Sequence, residues 1–129
     1  MGDAKLPRPT DAELGILRVL WKRGANTVRQ VHDELAGPAV VGYTTVLKLL
    51  QIMTDKGLVT RDESRRTHVY QARLPEDATQ RQLVRDLMDR AFAGSARKLV
   101  MQALEVKKAS PEELAAIREL LDRIEREEP

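Results

Sequence analysis

The sequence predicts a mainly helical protein with one small β-hairpin: a winged helix-turn-helix unit followed by three further helices. Three observations lead there. Apolar residues recur at helical spacing over most of the chain. That period breaks once, between residues 58 and 72, where β-branched residues gather in two short runs. Aromatic residues make up only 3% of the 129 residues while charged residues make up 33%, which suits amphipathic helices and disfavours an aromatic-rich β-sandwich.

Residues 1–9, with two prolines and no periodicity, read as a flexible tail. Thr10-Asp11-Ala12-Glu13 has the form of a capping box, in which a threonine hydroxyl and a glutamate three residues later satisfy each other's backbone amides. Leu14, Leu17, Leu20 and Trp21 follow on one face, and Gly24 stops this first helix at about 11–23. Thr27-Val28-Arg29-Gln30 repeats the capping pattern; Val28, Val31 and Leu35 give a second, short helix of about 28–36, ended by Gly37-Pro38 and followed by a link over 38–42. The third helix, about 43–56, buries Val46, Leu49, Leu50 and Met53 and is closed by Gly57 in the left-handed region. Two strands, 58–61 and 67–72, flank the polar turn 62–66 with its Arg65-Arg66 tip. A two-stranded ribbon is not stable alone, so it must lie on the helices before it.

Helical periodicity returns after Pro75. Leu83, Val84, Leu87, Met88, Ala91 and Phe92 stripe a helix of about 76–93, broken by Gly94. Ser95 caps a shorter one of about 96–105 bearing Leu99, Val100, Ala103 and Leu104. Ser110-Pro111-Glu112-Glu113 opens the last, with Leu114, Ile117, Leu121 and Ile124 along one side. The domains expected are a winged helix-turn-helix unit at 10–73 and a helical dimerisation unit at 75–129. The second holds too few residues to bury a good core by itself. Its apolar stripes need a covering surface: a second copy in a two-fold dimer, the favoured reading, or the first unit of the same chain. The dimer contacts expected are Leu83, Leu87, Met88, Phe92, Leu99, Val100, Leu104, Ile117, Leu121 and Ile124.

Charge and composition narrow the function. The net charge is +2, but residues 1–74 carry 12 basic against 8 acidic side chains and residues 75–129 carry 10 against 12. A basic first half points to nucleic acid there. The chain has no cysteine, which rules out disulfides, thiolate metal sites and thiol catalysis. No apolar run approaches a membrane span, and no apolar stretch follows the first residues, so neither membrane insertion nor a secretory signal is expected and the expected compartment is the cytoplasm. No metalloprotease, phosphate-loop or nucleophile-elbow motif occurs; no catalytic residue, metal ligand or cofactor is expected. His32, beside Asp33 and Glu34, reads as a surface or packing residue, because adjacent helical residues point in different directions.

In a helix-turn-helix the second helix of the pair lies in the major groove. Here that helix is 43–56, and with its core face removed it offers Tyr43, Thr44, Thr45, Leu47, Lys48 and Gln51. Glutamine can bond adenine through two edges, threonine reads several bases, and lysine reaches guanine or phosphate; Leu47, if exposed, suits a thymine methyl. Arg65 and Arg66 at the hairpin tip, flanked by Arg61 and His68, suit a phosphate backbone, with Lys56 as a further phosphate contact. The competing readings are a winged-helix adaptor that binds protein, for which Leu47 is the one visible apolar candidate, and a regulator that senses a small molecule.

Beyond these residue-level readings, the run Tyr43-Thr44-Thr45-Val46-Leu47-Lys48-Leu49-Leu50-Gln51, then Lys56-Gly57-Leu58-Val59, the basic wing and His68-Val69-Tyr70 resemble the penicillinase repressor group, which includes the BlaI, MecI and CopY repressors. Glu13-Leu14, Leu20-Trp21 and Thr27-Val28-Arg29-Gln30-Val31 are similar too. The resemblance implies a winged-helix repressor, dimeric through its C-terminal helices, that binds a palindromic operator in double-stranded DNA, as over a beta-lactamase-type or stress operon. It places recognition at Thr44, Thr45, Lys48 and Gln51 and the wing at Arg65 and Arg66. Two departures stand out. Copper-responsive members carry a C-terminal cysteine cluster, which this chain lacks. Members that respond to beta-lactams are cut by a membrane-bound sensor protease at an Asn-Phe pair, where this chain has Gln102-Ala103.

Overall fold

The computed structural model describes residues 7–35 and 41–127. Its elements are α1 (Asp11–Arg23), β1 (Asn26–Thr27), α2 (Val28–Leu35), α3 (Tyr43–Lys56), β2 (Val59–Asp62), β3 (Val69–Ala72), α4 (Glu76–Ala91), α5 (Ala96–Val106) and α6 (Pro111–Glu127). The predicted stop at Gly37-Pro38 and most of the predicted tail and link lie outside the described residues. The chain forms two compact units, one reaching Val84 and one starting at Arg85.

Local chemistry sets the helix ends. Thr10 and Glu13 exchange hydrogen bonds at the start of α1: the Thr10 amide donates to Glu13 Oε1 at 2.9 Å and the Glu13 amide to Thr10 Oγ1 at 3.2 Å. Thr27 and Gln30 do the same at α2, and Ser110 and Glu113 at α6, while Ser95 Oγ accepts from the Lys98 amide at α5. Each pair satisfies amides that a helix start leaves without partners. Gly57 takes φ 85°, ψ 18° and lets the Leu58 amide reach back to the Met53 carbonyl at 2.9 Å, so α3 ends sharply.

The core of the first unit is built from Ile16, Leu17, Val19 and Leu20 of α1, Val28 and Val31 of α2, Val46, Leu50 and Met53 of α3, and Leu58, Val59 and Tyr70 around the sheet. The expected stripe on α1 was narrower: Leu14 and Trp21 are half-buried, and Ile16 and Val19 are buried instead. Trp21 still ties α1 to the chain after the sheet, its Nε1–H donating to the Leu74 carbonyl at 3.0 Å.

The hairpin differs from expectation in two ways. It has slipped: β2 starts at Val59 and β3 at Val69, because Leu58 closes α3 and Thr67 and His68 lie in the loop. It also has a third strand. The sheet order is β1-β3-β2, all antiparallel, with Asn26 opposite Tyr70 and Thr27 opposite Val69. Two residues are too few to show a period of two, so β1 has no signature in the sequence.

Glu13 does more than cap. It is 2% exposed, and Lys56 Nζ at the end of α3 lies 2.7 Å from its Oε1. Burial works to raise the Glu13 carboxyl, but the hydrogen bond and charge of Lys56 together with the bonds from Thr10 outweigh it, and its pKa lies below the ordinary 4.5. A carboxyl depressed by folding adds stability above its unfolded pKa and loses that contribution as pH falls through the folded one. Glu13→Gln should therefore lower unfolding stability by about 1–3 kcal/mol near pH 7. Denaturant titrations below pH 4.5 should show the gap to wild type closing as the wild-type carboxyl takes up its proton; a gap that does not change with pH would mean that the Lys56 pair contributes nothing.

Candidate nucleic-acid interface

The three buried residues of α3 leave its opposite side outward. Tyr43, Thr44, Thr45, Lys48 and Gln51 are all exposed. Thr44, Lys48 and Gln51 follow at helical spacing and so share one face. Lys48 makes no ion pair with any described residue, so its charge is not cancelled. Leu47 does not stand free: it is half-buried and lies against the core. That leaves the apolar candidate of the adaptor reading only partly exposed. Ile52, 39% exposed, is an outward residue of α3 that the core pattern did not single out.

The loop between β2 and β3 forms the wing. Asp62 Oδ1 accepts the Ser64 amide at 2.9 Å and folds the loop's start. Hydrogen bonds from Ser64 hold the Asp62 carboxyl below the ordinary range. Arg65, Arg66 and His68 are exposed. Arg61 has another duty: its Nε donates to Glu63 Oε2 at 2.6 Å, and bonding to Tyr70 and then Glu63 raises the guanidinium further above its ordinary value. Lys56, expected on phosphate, is held by Glu13 and also donates to the Arg8 carbonyl at 3.3 Å. Both charges are thus engaged within the fold.

One open depression runs between α3 and the wing, lined by Val28, Arg29, Tyr43, Leu47, Arg66, Thr67, His68 and Tyr70. It brings together four of the expected site residues, Tyr43, Leu47, Arg66 and His68. It also brings in Arg29, which sequence reasoning used only as part of a cap. Arg29 lies 4.8 Å from the centre of the Tyr43 ring, and His32 meets the same ring edge-on at 6.1 Å. The second unit is a different kind of surface. No described side chain from Arg85 onward is buried. Leu87, Val100, Leu104, Leu121 and Ile124 are among its exposed apolar residues, while Met88, Phe92, Leu99 and Ile117 are half-buried, as is Leu83 in the first unit. Gln102 and Ala103 are exposed within α5.

Comparison with known proteins places this geometry. The penicillinase repressor family model matches residues 9–123. The chain belongs to the penicillinase repressor family. As a member it is a transcriptional repressor and not an enzyme. It is 32% identical over 123 residues to the transcriptional regulator BlaI of Mycobacterium tuberculosis (strain CDC 1551 / Oshkosh), covering 95% of this chain and 88% of that protein. It is 25% identical over 118 residues to the penicillinase repressor of Bacillus licheniformis, covering 92% of each. The solved DNA-binding domain of the repressor BlaI aligns with a TM-score of 0.50 and 28% identity, over 56% of this chain and 88% of that one. The first unit is a winged helix of this family's kind. Among the described residues no helix is long and apolar enough to cross a membrane, and no cluster of acidic and histidine side chains could hold a metal ion.

Proposed function

We propose that this repressor binds a palindromic operator in double-stranded DNA as a homodimer, each subunit laying α3 in the major groove and its wing along the backbone. The observation that carries the reading is the division of α3: Val46, Leu50 and Met53 are wholly buried, while Thr44, Lys48 and Gln51 face out beside a basic wing. That face has the donors and acceptors that base edges require. The BlaI domain similar to the first unit is named as a DNA-binding domain, which supports the same reading.

Dimerisation is supported by the second unit, whose three helical segments bury no side chain and leave Leu87, Val100, Leu104, Leu121 and Ile124 in solvent. A second copy of the same surface would cover them. Joining two weakly binding heads makes the second contact intramolecular and raises affinity by ~10²–10⁴-fold. Cutting α5 at the exposed Gln102–Ala103 position by a sensor protease would discard that gain and release the operator without altering the reading face.

Gel-shift titration on the DNA upstream of the protein's own gene, with scrambled competitor, tests the reading. Retention that survives competitor is expected, and binding that competitor abolishes would reduce the interface to bare charge. Gln51→Ala should cost about 1–3 kcal/mol on the operator and little on random DNA, since a base contact is lost. Equal losses on both would make it a phosphate contact. Replacing Arg65 and Arg66 together by Ala should weaken both complexes and lower the slope of log K against log salt by about 2. An unchanged slope would take the wing out of the interface.

A further inference from the structure

Arg29 lies in the first turn of α2, on the exposed side, and three features of its setting are not explained by the fold. A cation at a helix start opposes the helix dipole, and the first turn of α2 holds no acid to offset it. Arg29 has no acidic partner among the described residues, whereas Arg23, Lys56 and Arg61 meet Glu34, Glu13 and Glu63. Its guanidinium instead stacks 4.8 Å from the centre of the Tyr43 ring, which is 39% exposed and braced on its edge by His32. A carboxylate would fix the guanidinium and cancel its charge. An aromatic face fixes it through the ring quadrupole and leaves the charge and the N–H donors free for something else.

That arrangement sits at the depression between α3 and the wing, which Arg29 and Arg66 line from two different elements. We propose that Arg29 is a phosphate-binding residue of the DNA interface, and that Tyr43 is its positioning residue rather than a reader of bases. The inference rests on the DNA-binding reading above and adds to it a contact from outside the recognition helix and wing. A DNA backbone entering the depression meets a guanidinium that is already oriented, so little side-chain freedom is lost when the phosphate binds.

The full chain is titrated against the duplex from upstream of its own gene and against a random duplex of equal length, across a range of salt. Arg29→Ala should weaken both complexes about ten-fold, the loss of one charge-assisted contact, and lower the salt slope by about 1. Arg29→Lys should keep the slope. Tyr43→Leu should cost about three-fold, the scale of an exposed cation–π contact, and nothing more once Arg29 is already Ala. Tyr43→Phe, which keeps the ring, should recover what Tyr43→Leu loses. An Arg29→Ala protein with the wild-type slope overturns the proposal; if it is then also less stable to heat, the stack is only a clamp between α2 and α3. Loss in Tyr43→Phe equal to that in Tyr43→Leu overturns it too, because the hydroxyl would then be the contact. Wild-type protein that retards neither duplex removes the DNA-binding reading and this one with it, an outcome distinct from failure of the Arg29 variants alone.

Discussion

Val46, Leu50 and Met53 have no exposed surface, and they stand on α3 at the spacing of successive helical turns. Three anchors on one line permit a single rotation of the helix about its axis. Everything outward on α3 follows from that rotation: Thr44, Lys48 and Gln51 face solvent because their opposites cannot. The ends are fixed as firmly. Gly57 stops the helix in a left-handed turn, and Lys56 fastens its last turn to the capped start of α1 through Glu13. The outward face of α3 is therefore set by packing on its far side.

The sheet supplies the second constraint. Tyr70, 1% exposed, lies on the central strand β3, which pairs with β1 on one side and β2 on the other. The wing is the loop that joins β2 and β3, so its root is tied into the sheet by strand pairing, while Arg65 and Arg66 at its tip remain in solvent. A rigid root with an exposed basic tip suits a backbone whose path varies with sequence.

Much of this is legible in the sequence because the signals are local. The capping pairs at Thr10, Thr27 and Ser110 and the glycine stop at Gly57 depend on residues within a few positions of each other, and they set the observed start of α1 and end of α3. What escapes is long-range. β1 exists only through pairing with residues over forty positions away. Lys56 reads as a free cation until the fold brings Glu13 to it, and Arg61 until strand pairing sets it opposite Tyr70. Arg29 reads as a capping-box filler until Tyr43 arrives beneath it; a basic residue in a helix's first turn was the one local clue.

The two units differ in what holds them. The first closes a core within itself; the second offers amphipathic helices with apolar sides uncovered, from Leu87 to Ile124. A helix retains its stability mainly through the apolar face it buries, so those sides call for a partner. The proposed two-fold dimer would supply one and would set two reading heads on one DNA. Sedimentation velocity of the full chain at micromolar concentration tests this most directly. The account predicts one species of twice the 14.6 kDa chain mass. A single species of chain mass, with the helical content intact by circular dichroism, would contradict it.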